Sequence, residues 1–194
     1  MIIPQSFYNR STLRVAQDLL GCFLVRRLNG KIYKTKIVET EAYNGPYDLA
    51  SHASRGKTLR NAVMFGEPGH FYVYFTYGMH YLLNIVTEAE NYPAAVLIRA
   101  VEPVFRSTLS DKMKIKTNGP AKLTKFLKID KKFNGLSVFQ RQHGLWVETR
   151  KEKISTGDID RASRIGVDYA GEYKNKLWRF YLKNNLFVSH KKRG

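Results

Sequence analysis

Strand-like runs crowd the first half of this sequence, short helical stretches are scattered between them, and no linker or internal repeat interrupts its 194 residues. These observations predict a mixed α/β (α+β) fold, a single domain spanning residues 1–194 around a largely antiparallel sheet. An apolar content of 43% at this length suffices to bury most of the unfolded surface in one core.

Each element follows from local chemistry. Ser11-Thr12 can cap a helix that runs to Leu20 and stops at Gly21, with Leu13, Val15, Ala16, Leu19 and Leu20 on its buried side. Residues 22–28 and 32–43 read as strands, and Asn29-Gly30 between them is a hairpin signal. Residues 44–56, rich in Gly, Pro, Asp and Ser, read as a loop. A brief helix is expected over 59–65 and a turn at Glu67-Pro68-Gly69. Strands follow at 71–75 and 79–86, separated by Thr76-Tyr77-Gly78, and a further strand at 95–101. Pro120 suits the first position of a helix running to about Lys128. Residues 145–147 and 178–182 read as strands, and 190–194 as a basic tail.

Charge narrows the partner. Lysine and arginine number 33 against 16 acids, for a formal net charge of +17. Such a surface favours a polyanion, and nucleic acid above all. A lone cysteine, Cys22, excludes an intrachain disulfide and a four-cysteine zinc site. No apolar run approaches the ~20 residues needed to cross a bilayer, and the N-terminus lacks the pattern of a secretory signal. The expectation is a cytoplasmic protein without a membrane partner.

In so basic a chain, the acids of Val38-Glu39-Thr40-Glu41-Ala42-Tyr43 stand out. On a strand, Glu39, Glu41 and Tyr43 point to one face. Arg99 lies inside the apolar run Val96-Leu97-Ile98-Arg99, and a buried arginine needs an anionic partner, which Glu39 or Glu41 would provide. Glu41 can then be a general base, a metal ligand or half of a structural ion pair. Glu39, Glu41, Asp48 and His52 could hold a divalent ion, as in a metal-dependent nuclease, although their spacing matches no compact ligand motif. In the second hairpin Tyr72 and Tyr74 share a face, while Tyr77 sits at the turn, where a ring can wedge between base pairs. These tyrosines also suit an ordinary sheet. The start of the Pro120 helix, with Lys122 nearby, can hold a phosphate or simply be capped. A non-catalytic basic nucleic-acid-binding protein would account for the charge and the tyrosines, but not for Glu41 with Arg99.

Taken in order, Ile37-Val38-Glu39-Thr40-Glu41-Ala42-Tyr43, Gly45-Pro46, His52, Arg60-Asn61, Tyr72-Val73-Tyr74, Tyr77-Gly78-Met79, Asn84-Ile85, Leu97-Ile98-Arg99-Ala100, Gly119-Pro120-Ala121-Lys122-Leu123 and Arg164-Ile165-Gly166-Val167 form a specific set. In this set the chain resembles the alkyladenine (3-methyladenine, or methylpurine) DNA glycosylases, from about residue 11 to 189. The resemblance implies a curved antiparallel sheet with a protruding, DNA-intercalating β-hairpin. It implies a monofunctional enzyme without cofactor or metal that acts on double-stranded DNA containing damaged purines; a monomer is the simplest expectation. By the same resemblance Glu41 is the general base, and Arg99 helps hold the attacking water, with the Val167 carbonyl as a third contact. Tyr43 and Tyr74 flank the flipped base, His52 bonds its edge, Asn84 screens out guanine and Leu97 lines the pocket. Tyr77 is the intercalating wedge with Met79 beside it, and Lys122 is a candidate DNA-backbone contact.

Overall fold

A computed structural model describes residues 1–76, 78–104, 111 and 114–189. The basic tail and Tyr77 lie outside the described residues. Among those described, the strands are β1 (Phe23–Leu28), β2 (Lys31–Tyr43), β3 (Phe71–Thr76), β4 (His80–Thr87), β5 (Ala94–Pro103), β6 (Leu145–Glu148), β7 (Ile159–Ala162) and β8 (Arg179–Leu182). The helices α1 (Thr12–Asp18) and α2 (Pro120–Leu127) complete a mixed α+β fold around a curled sheet. The sheet runs β3-β4-β5-β2-β1-β6, and every pairing is antiparallel. At 13 residues β2 is the longest strand, and it needs two partners on one edge. β1 pairs with its first half, and β8 pairs with it at 39–41.

The β1–β2 hairpin follows from its turn. Leu28 pairs with Lys31, and Asn29 (φ 49°) and Gly30 (φ 75°) occupy the two left-handed positions that such a two-residue turn requires. In the β3–β4 hairpin Thr76 pairs with His80, which leaves a three-residue connection. Its described neighbours Phe75 and Met79 are 48% and 69% exposed.

The β2–β5 ladder carries two register shifts. Ile37 pairs with Val101, Glu39 with Ala100 and Thr40 with Ile98. Val38 is therefore an extra residue on β2, and Arg99 an extra residue on β5, within two rungs of each other. The two shifts cancel, so alternation resumes on both sides. Ile37, Ala42, Val96, Ile98 and Val101 reach the main core with α1 and α2, while Val38 and Ala100 pack on the opposite face with Phe187 and Val188.

Three elements differ from expectation. Residues 59–65 form only a 3-10 turn at Ala62–Phe65. There Asn61 accepts from the Thr58 N–H and donates to the carbonyls of His52 and Gly56, so local side-chain bonds displace a helix. Strand β7, with the sequence IDRA and little burial, offers no apolar alternation to read. At α1, Ser11 makes no capping bond with its side chain. Glu88, just past β4, caps the helix instead, accepting from the Thr12 N–H (2.6 Å) and hydroxyl (2.9 Å). Glu88→Ala should lower stability by about 1–2 kcal/mol. The check is the urea midpoint; a midpoint equal to the parent's would show that the helix start is held by other groups.

Candidate active site

Register lays one row of side chains across the sheet. Arg179 pairs with Glu41, Glu41 with Leu97, Leu97 with Asn84 and Asn84 with Tyr72. Paired residues on neighbouring strands share a face. Tyr43 and Tyr74, two positions beyond Glu41 and Tyr72, lie on it as well. Over this face opens a cavity of about 320 Å³, lined among others by Tyr43, His52, Tyr72, Tyr74, Asn84, Leu97, Arg99 and Val167. Ala121 and Pro120 border it from the start of α2.

Behind the wall stands a charged cluster. Glu39 and Glu41 are fully buried, and Arg99 nearly so. The Arg99 guanidinium lies 3.2 Å from Glu41 Oε1 through Nη1 and 3.3 Å from Glu39 Oε1 through Nε. Burial works against its charge, but Glu41 and then Glu39 outweigh it and hold the Arg99 pKa above its ordinary value. Glu41 Oε1 also accepts from the Ile165 N–H (2.8 Å), and Oε2 accepts from the Tyr43 hydroxyl (3.0 Å). Burial, and next the Glu41 charge, push the Tyr43 phenol well up, so it stays a neutral donor. An ionised carboxylate can accept about four bonds. The donors named here therefore leave Oε2 with an accepting position.

The opposite wall is aromatic. His52 Nδ1 lies 2.9 Å from the Tyr72 hydroxyl, and its ring meets Tyr74 edge-on at 4.5 Å. Burial lowers the His52 pKa, with Arg60 adding to the effect, and the imidazole is neutral at pH 7. Burial pushes Tyr72 up to about 12. With Nδ1 engaged, Nε2 is the ring's one other polar atom. Asn84 donates from Nδ2 to the Tyr72 carbonyl (3.1 Å), which fixes its amide. Arg60 lies over the Tyr74 ring at 5.3 Å and donates to the Phe75 carbonyl (3.0 Å), bracing the same wall.

Two loops are tied across the site by a buried ion pair. Arg164 Nη2 donates to Asp48 Oδ1 (2.8 Å), and Nη1 donates to the Ala42 carbonyl (2.9 Å). Its guanidinium sits between the rings of Tyr43 (4.8 Å) and Trp178 (5.1 Å). This pair fixes the segment carrying His52 relative to the one carrying Ile165 and Val167.

The remaining expected positions fall as follows. Val167 lines the cavity, and its carbonyl accepts from the Ala170 N–H (2.9 Å). Met79 is exposed at the hairpin tip. Lys122 follows Ala121 and donates to Asn118 Oδ1 (3.0 Å). The four groups weighed as metal ligands do not converge: Asp48 is held by Arg164, His52 bonds Tyr72, and Glu39 lies between Arg99 and Arg179. Sequence reasoning passed over Arg179, although it carries the signal that revealed Arg99, an arginine within an apolar strand. Ser189, which contacts both Glu39 and Arg99, had no such signal.

Comparison with known proteins gives the family of the chain. The family described as Methylpurine-DNA glycosylase matches residues 6–186. A protein of Carboxydothermus hydrogenoformans is 50% identical over 199 residues, covering 98% of this chain and 100% of its own length. Proteins of Methanocella arvoryzae (46%, covering 100% of this chain and 98% of their own) and Bdellovibrio bacteriovorus (45%, 98% and 100%) are similar throughout. All three carry the name "Putative 3-methyladenine DNA glycosylase". Among the described residues no helix is long and apolar enough to cross a membrane. With the match extending over nearly its whole length, the chain belongs to the methylpurine-DNA glycosylase family, enzymes that hydrolyse N-glycosyl bonds in DNA.

Proposed function

We propose that the chain extrudes alkylated or deaminated purines from double-stranded DNA, 3-methyladenine and hypoxanthine among them, and hydrolyses the bond joining base to deoxyribose. One observation carries this reading: a fully buried carboxylate, Glu41, is held just behind the wall of the cavity by Arg99 and Tyr43, which themselves line it together with His52, Tyr72 and Tyr74. At about 320 Å³ the cavity is within the usual range of roughly 300–1,000 Å³ for small-molecule sites. The names of the relatives favour 3-methyladenine as a substrate.

The chemistry follows from the groups. A base inside a duplex is unreachable, so it must swing out, and unstacking costs least for a damaged pair. Between Tyr43 and Tyr74 the extruded ring gains stacking. His52 offers one hydrogen bond to its edge, and Asn84, fixed by its own bond to the sheet, crowds the exocyclic amine of guanine. An alkylated purine is electron-poor and departs with the bonding pair, leaving an oxocarbenium-like sugar. Glu41 takes the proton of a water oriented with Arg99, and the water oxygen bonds to the anomeric carbon. The products are free base and an abasic site on an unbroken strand. Tyr77, which follows β3 in the sequence, fills the gap left in the stack.

Glu41→Gln should bind lesion-containing duplex as the parent does and lose about 10²–10⁴ in single-turnover excision; undiminished excision would reject the role given to Glu41. Tyr77→Ala should capture less of the flipped state, read as a smaller fluorescence change from a base analogue at the lesion. Equal signals in variant and parent would remove the wedge from the mechanism. Release of 3-methyladenine and hypoxanthine from duplex DNA should persist in a strong chelator, leaving strands that break only on alkaline treatment. Activity lost to the chelator and restored by a divalent ion would favour metal-assisted chemistry.

A further inference from the structure

Glu39 is fully buried and does not line the cavity, yet three donors converge on it. Arg99 Nε (3.3 Å) and Arg179 Nη1 (2.9 Å) meet at its Oε1, and the Ser189 N–H donates to Oε2 (2.7 Å). Ser189 touches the same arginine through its hydroxyl, which lies 3.3 Å from Arg99 Nη2 and 3.4 Å from Nε. Arg99 thus uses Nη1 toward Glu41 and its other nitrogens toward Glu39 and Ser189. The segment bearing Ser189 is itself held down, since Phe187 and Val188 pack against Val38, the extra residue of β2, and Ala100, the neighbour of Arg99 on β5. Asn185 anchors it further by donating to Glu102 (2.9 Å).

A guanidinium on a flexible stem has a choice of rotamers, and its direction toward one carboxylate is fixed only if its other edge is occupied. Here that edge is filled by Glu39 from β2 and by Ser189 from the far end of the described chain. Neither group lines the cavity. We propose that Glu39 and Ser189 are positioning residues, which hold the Arg99 guanidinium in register with Glu41 and so set the rate of the chemical step without contributing to DNA affinity. This rests on the reading of Glu41 and Arg99 given above.

The experiment compares Glu39→Gln and Ser189→Ala with the parent, and with Glu41→Gln as a reference, in single-turnover excision, equilibrium binding of lesion duplex and thermal unfolding. Ser189→Ala keeps the main-chain bond to Glu39, and it decides alone by the same criteria if Glu39→Gln does not fold. The expected result is affinity within about threefold of the parent, with excision slowed about 10²-fold in Glu39→Gln and about tenfold in Ser189→Ala. Parental excision in both, beside an inactive Glu41→Gln, would overturn the positioning role and leave the Glu41 reading intact. Affinity and rate falling together, with unfolding at lower temperature, would overturn it in favour of a purely structural role. An active Glu41→Gln would remove the reading on which the proposal stands.

Discussion

Burying Arg99 is the constraint around which the middle of this molecule is organised. A guanidinium taken out of water is tolerated only where carboxylates and acceptors surround it. Glu39 and Glu41 from β2 and Ser189 from the far end of the described chain do so. Arg179 and Arg164 repeat the solution with Glu39 and Asp48, so three guanidiniums face three carboxylates. The buried cluster is formally neutral within a chain of net charge +17. Basic charge therefore concentrates on the surface, while the interior keeps its acids.

Aromatic walls and charged floor depend on each other. Tyr43 belongs to both, since its ring lines the cavity and stacks on Arg164 while its hydroxyl binds Glu41. Asn61 fixes the loop that carries His52 through the His52 carbonyl itself. The cavity is thus shaped by backbone bonds and ion pairs laid down before any DNA arrives, which keeps the ordering cost out of the binding step.

Much of this was legible in the sequence because β2 alternates from Glu39 to Tyr43. Alternation put Glu39, Glu41 and Tyr43 on one face, and Asn29-Gly30 fixed the hairpin that leads to them. An arginine inside an apolar run announced a buried ion pair, although not that two glutamates would share it. Less legible were the long-range ties. Nothing local marks Ser189 as a neighbour of Arg99 across 90 residues, or Glu88 as the cap of α1 across 76. The brief helix expected at 59–65 is shortened to a 3-10 turn at Ala62–Phe65, because Asn61 spends its amide on loop carbonyls, a competition that propensity does not contain.

The paired irregularities at Val38 and Arg99 have a consequence for inheritance. Each alone would rotate everything downstream by one position, turning Glu41 toward the helices or Leu97 away from its neighbours. Only together do they leave both strands in phase. A lineage that lost one residue from either strand would have to lose its counterpart in the other at the same time. The two strands are thus coupled in length, a constraint from which the loops are exempt.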